Sequence, residues 1–134
     1  MKKIMALACL LFCSFELFAQ QTVHWDVFAS AECSLETLEM WQMRQNFIKV
    51  RQVNNRFYWE ELNYYDVYNQ KEKHDGFTTI IIWDFVDKYK QRGTMMYQFN
   101  QNADWSTRHM FYIFYENKPQ GMVYLSNDPK EDKK

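Results

Sequence analysis

Glycine is nearly missing from this chain, with 3 in 134 residues, and proline is rarer still at 2. A loop that cradles phosphate through backbone amides needs glycines close together. Here they stand apart, at Gly76, Gly93 and Gly121, which excludes the familiar nucleotide-binding loops. Cysteine is equally scarce: Cys9 and Cys13 lie in the first fifteen residues, and only Cys33 lies beyond them. Without the N-terminal stretch no intramolecular disulfide can form, so the fold has to be held by packing. A lone Cys33 near Ala31 and Leu35 is expected as a small buried apolar residue. A basic surplus is also lacking, since the formal charge is −1. Duplex binding needs Lys and Arg to displace counterions from phosphates, so nucleic acid is not an expected partner.

Clusters of metal ligands are absent as well. His24 with Asp26 and His74 with Asp75 are the close pairs, and neither has a third ligand at coordination spacing, so no metal or cofactor is expected. Ser34, Ser106 and Ser126 occupy no nucleophile motif.

The N-terminus supplies the clearest positive signal. Lys2 and Lys3, the apolar run from Ile4 to Phe15 and the small residue Ala19 have the order of a bacterial export signal, cut after Ala19. The run is too short to span a bilayer, so no permanent membrane anchor is expected after cleavage. Removing Lys2, Lys3 and Glu16 with residues 1–19 takes the formal charge from −1 to −2. Residues 20–127 then suffice for one domain, and 128–134 read as a charged solvated tail.

Aromatic residues are abundant, at 19% of the chain. Each can bury roughly 150–250 Å², which compensates for the missing disulfides. The pattern after the alternating stretch at Val23, Trp25 and Val27 predicts a helix. Ser34 is a suitable N-cap, Glu36 and Glu39 favour the start, and Met40, Met43, Phe47 and Val50 recur at spacings of three and four. Leu38, Trp41 and Ile48 widen that face. In 56–73, Tyr58, Leu62, Tyr65 and Asn69 would share a second helical face, although six aromatic residues from Phe57 to Tyr68 favour a strand by propensity. A second helix is the expectation.

The remainder alternates. Phe77–Asp87, Met95–Asn100, Arg108–Glu116 and Met122–Ser126 predict strands, with a loop at 101–107 and a turn at 117–121. The expected fold class is therefore α+β: a two-layer domain with N-terminal helices packed on an antiparallel sheet of about four strands. In element order and length, with no shared motif, a sheet of this kind curved around a cavity resembles the cystatin-like and nuclear-transport-factor-like architectures.

Functional candidates follow from display and burial. Trp105, in the loop between strands, and Tyr64, Tyr65 and Tyr68 are the candidate ligand-binding residues, because aromatic rings suit stacking against a protein partner or a small ligand. A carboxylate within the apolar run IIIWDFV, Asp84, is the alternative catalytic residue, with His109 as its partner in a sheet-lined cavity. The preferred expectation is an exported binding module without chemistry of its own. An exported enzyme using Asp84 and His109 and an inhibitor or immunity-like protein are the alternatives.

Overall fold

A computed structural model describes residues 22–131 of the chain; the expected leader at 1–19 lies outside the described residues. The described chain is nearly all strand: β1 (Thr22–Ser34), β2 (Met40–Val53), β3 (Arg56–Trp59), β4 (Asn63–Asp75), β5 (Thr78–Asp87), β6 (Arg92–Asn100), β7 (His109–Tyr115), β8 (Gln120–Ser126) and β9 (Lys130–Glu131). A single 3₁₀ turn, Trp105–Thr107, interrupts them. Each strand from β1 to β8 runs antiparallel to the next, and β1 also pairs with β8. The sheet therefore closes on itself as an eight-stranded up-and-down barrel, with β9 added against Val23 and His24 of β1. Closure leaves β1 hydrogen-bonded along both edges: Ser30 faces Arg44 of β2 on one side and Tyr124 of β8 on the other.

This corrects the α+β expectation and, with it, both resemblances. Neither expected helix forms. The spacing of three and four in residues 40–50 comes from two β-bulges. Against β1, Trp41 and Arg44 span the same ladder as Glu32 and Ser30, and Gln45 and Ile48 the same ladder as Ala29 and Val27. Three residues thus replace two at each step, and a strand carrying one extra residue every few positions mimics helical periodicity. Of the four residues assigned to the buried stripe of that helix, Met40, Met43 and Phe47 are exposed, Phe47 by 67%, and Val50 is buried.

The second expected helix is β3 and β4. Phe57 and Trp59 point into the barrel while Tyr58 points out. On the outer face the Arg51 guanidinium lies 4.2 Å from the Tyr58 ring and that of Arg56 lies 3.9 Å from the Tyr64 ring. Arg56 also grips Asp66 with two hydrogen bonds, of 2.7 and 3.0 Å. These cross-strand pairs tie the four-residue β3 between two long neighbours. At the β2–β3 turn Asn54 takes a left-handed backbone (φ 57°), which its short polar side chain tolerates.

Eight strands enclose a space that side chains can just fill. Here aromatic rings fill it. Phe111 of β7 lies 5.2 Å from Trp25 of β1, 4.9 Å from Tyr97 of β6, and 5.9 and 5.6 Å from Phe57 and Trp59 of β3. Strands β3 and β7 are four apart around the ring, so these contacts cross the full width of the barrel. Val23, Val50, Phe85 and Met95 complete the same core. A bulge at Phe28 reverses the alternation of β1, so that Ala31 and Cys33 leave the interior and join Tyr112, Phe114, Val123 and Leu125 in a second apolar cluster on the other side of the wall. Cys33 is buried, and burial raises its thiol pKa.

The expected charged tail is partly structural, since Lys130 and Glu131 form β9 and Asp128 accepts a hydrogen bond from His109. Among the described residues no helix is long and apolar enough to cross a membrane.

Candidate functional site

The β6–β7 connection is stapled by short hydrogen bonds. Asn100 N donates to Arg108 O at 2.9 Å, Gln101 N to Phe77 O at 3.0 Å, and Asn102 N to Asn100 Oδ1 at 3.0 Å. The 3₁₀ turn closes through Thr107 N to Asp104 O, also 3.0 Å. A loop held at so many points presents its side chains in a fixed arrangement. Trp105 is 64% exposed there, and its ring lies 5.2 Å from that of Phe28.

Phe28 is placed by the β1 bulge, and the β2 bulges turn Met43 and Phe47 outward beside it. Together with Arg44, Asn127 and Trp105 these residues line an open groove of about 600 Å³. Its walls are mainly apolar, and among the described residues its one charged lining residue is Arg44. Leu35, Leu38 and Met40, at and beside the β1–β2 turn, are exposed as well. Scattered exposed apolar residues are ordinary, whereas Phe28, Met43, Phe47 and Trp105 share the lining of one groove.

The three candidate tyrosines do not join Trp105. Tyr64 and Tyr68 lie on the outer face of β4, and Tyr65 points inward against Trp59 and Phe85, at 5.6 and 5.0 Å. Tyr64 is covered by Arg56, and Tyr68 is exposed. Sequence reasoning missed Phe28, Met43, Arg44 and Phe47 as groove residues. The signal available was the polar run Gln42, Arg44, Gln45 and Asn46, too hydrophilic for two buried faces.

Asp84 and His109 occupy opposite sides of the barrel wall. Asp84 lies on the outer face of β5, where Asn69 Nδ2 donates to it at 2.9 Å. His109 faces inward and is engaged at both nitrogens: Tyr97 Oη lies 2.6 Å from Nδ1 and Asp128 Oδ1 lies 2.8 Å from Nε2. This geometry suits a neutral ring, with the Tyr97 hydroxyl donating to Nδ1 and Nε2–H donating to Asp128. Phe99 and Tyr97 stack against the imidazole. Desolvation lowers the His109 pKa, and the Asp128 hydrogen bond offsets this only in part. Burial likewise drives the Tyr97 phenol well up. The network, buried at Tyr97 and His109 and open to solvent at Asp128, ties β6, β7 and the segment after β8 together.

Its pH dependence has a defined sign. With its folded pKa held below the ordinary histidine value of about 6.5, His109 is protonated first in the unfolded chain, so its contribution is intact above that value and is lost as pH falls below it. Melting temperatures measured from about pH 8 down to about pH 5 are expected to decline at the acid end, with a shallower decline in His109→Gln.

Among the described residues no group of three or more His, Cys, Asp or Glu is arranged to hold a metal ion. Compared with family models, with curated proteins and with solved structures, the chain finds no match.

Proposed function

We propose that this protein is a small exported interaction module that grips a protein partner through the Trp105 groove. The leader-like residues 1–19 support export. One observation carries the binding reading: Trp105 and Phe47, each about two-thirds exposed, flank Phe28 on a rigid scaffold. Burying such rings against a partner gains apolar area, whereas leaving them in water gains nothing. The groove is open, so it suits a protruding element of a protein better than a small molecule, which a pocket normally surrounds. Arg44 at its side favours a partner with an acidic group near its apolar contact. An inhibitor-like role, blocking another exported protein, draws on the same exposed surface and differs only in what the partner does.

The test compares capture by the wild-type protein, by a Trp105→Ala/Phe47→Ser variant, and by Lys73→Ser on the β4 side. Because both groove side chains are exposed, the double variant is expected to keep its melting temperature, with a stability change of roughly 1 kcal/mol or less. A partner held by the wild type and by Lys73→Ser is expected to be lost from the double variant. Equal retention by all three would rule the groove out.

A further inference from the structure

A second, smaller hollow lies at the opposite end of the barrel, between the β3–β4 and β5–β6 turns. Its volume is about 270 Å³, and Asn63, Tyr65, Asp87, Tyr89, Gln91 and Tyr115 contribute to its lining. Asp87 is buried, and three donors satisfy its carboxylate. Tyr115 Oη donates to Oδ2 at 2.9 Å, while the amides of Tyr89 and Gln91 donate to Oδ1 at 2.9 and 2.8 Å. Lys88 Nζ donates to the Leu62 carbonyl at 2.9 Å and lies 5.7 Å from the Tyr89 ring. Among the described residues, both charged groups that line the hollow are therefore already engaged within the protein.

The remaining polar chemistry is neutral. The side-chain amides of Asn63 and Gln91 offer both donors and acceptors, and the Tyr65 phenol, which donates to Tyr115, keeps an acceptor lone pair. Tyr89, at 67% exposure, stands at the rim with its ring largely open to solvent. The volume falls near the lower end of small-molecule sites, about 300–1,000 Å³, which suits one ring rather than a chain.

We propose that this hollow binds one ring of a neutral saccharide, with the ring's C–H face on Tyr89 and its hydroxyls on Asn63, Gln91 and Tyr65. A sugar matches each feature: neutral hydroxyls that donate and accept, and an apolar face for an aromatic ring. A charged ligand lacks a free counter-charge there. The site is independent of the Trp105 groove, which lies at the other end.

The experiment is an amide chemical-shift titration of the full chain with glucose, galactose, mannose and N-acetylglucosamine, and with their methyl glycosides. At least one sugar is expected to shift the Asn63 and 88–91 amides. Tyr89→Ala, an exposed substitution whose spectrum reports an intact fold, is expected to weaken that response by about tenfold. Methyl glycosides binding as well as free sugars would identify a glycan end as the ligand, and binding of free sugars alone would identify a free solute; either result supports the site. No shift at these amides with any sugar, shifts confined to the Trp105 loop, or Tyr89→Ala binding like wild type would overturn it.

Discussion

Replacing Phe111 by alanine is expected to cost about 3–5 kcal/mol of folding free energy. The ring is fully buried at the point where β1, β3, β6 and β7 meet across the barrel, within ring-packing distance of Trp25, Phe57, Trp59 and Tyr97. Removing it takes away its transfer free energy and leaves a cavity walled by rings that are fixed to opposite strands. The barrel cannot collapse there without breaking ladder hydrogen bonds, which places the cost toward the upper part of the range. Against a domain stability of roughly 5–15 kcal/mol, the loss is large. Urea unfolding followed by tryptophan fluorescence measures it, and Phe47→Ala, on an exposed side chain, is the control, with an expected change of about 0.5 kcal/mol or less. Similar midpoints for the two variants would mean that the interior is not packed by Phe111.

Gly93→Ala is the second substitution expected to damage the fold heavily. A Cβ at this position would collide with the backbone carbonyl of Phe114 and lie 2.6 Å from Cζ of Phe85. Phe85 is fully buried, and the Phe114 oxygen belongs to the strand that pairs with β6. The ring has little room to retreat, and the carbonyl can move only by separating β6 from β7. The expected loss is about 3 kcal/mol, at the high end for overpacking, and heat denaturation monitored by circular dichroism reads it as a lowered midpoint. Gly76→Ala supplies a comparison of a different kind. Its Cβ meets nothing within 4 Å, and its cost comes from a left-handed backbone (φ 61°), so it is expected to be smaller.

The C-terminal strands were legible because their alternation is unbroken. Thr79, Ile81, Trp83 and Phe85 face inward at every second position of β5, and Met95 and Tyr97 do the same in β6. The N-terminal half was not legible, for a physical reason that local pattern cannot resolve. Each β2 bulge shifts the side chains that follow to the opposite face, so Met40, Met43, Phe47 and Val50 read as one stripe although only Val50 is buried. In 56–73 the β-propensity of six aromatic residues outweighed the helical spacing of Tyr58, Leu62, Tyr65 and Asn69. Barrel closure was equally hidden, because the pairing of Ser30 with Tyr124 joins distant segments and leaves no mark on either one.

The candidate site was partly legible. Trp105 was readable as a displayed residue from its loop context, and it does line the groove. Its neighbours there come from bulges in two other strands, which the sequence does not reveal. Asp84 and His109 illustrate the converse. Both stand out chemically in the sequence, yet strand parity sends one outward and the other inward.

Backbone and ring nuclear Overhauser contacts around β1 test the closed, ring-filled barrel most directly. The structure predicts that Ser30 is close to both Arg44 and Tyr124, and that the Phe111 ring is close to both Trp25 and Trp59. Helical contacts through residues 40–50, or a β1 strand with no neighbour on its β8 side, would contradict it.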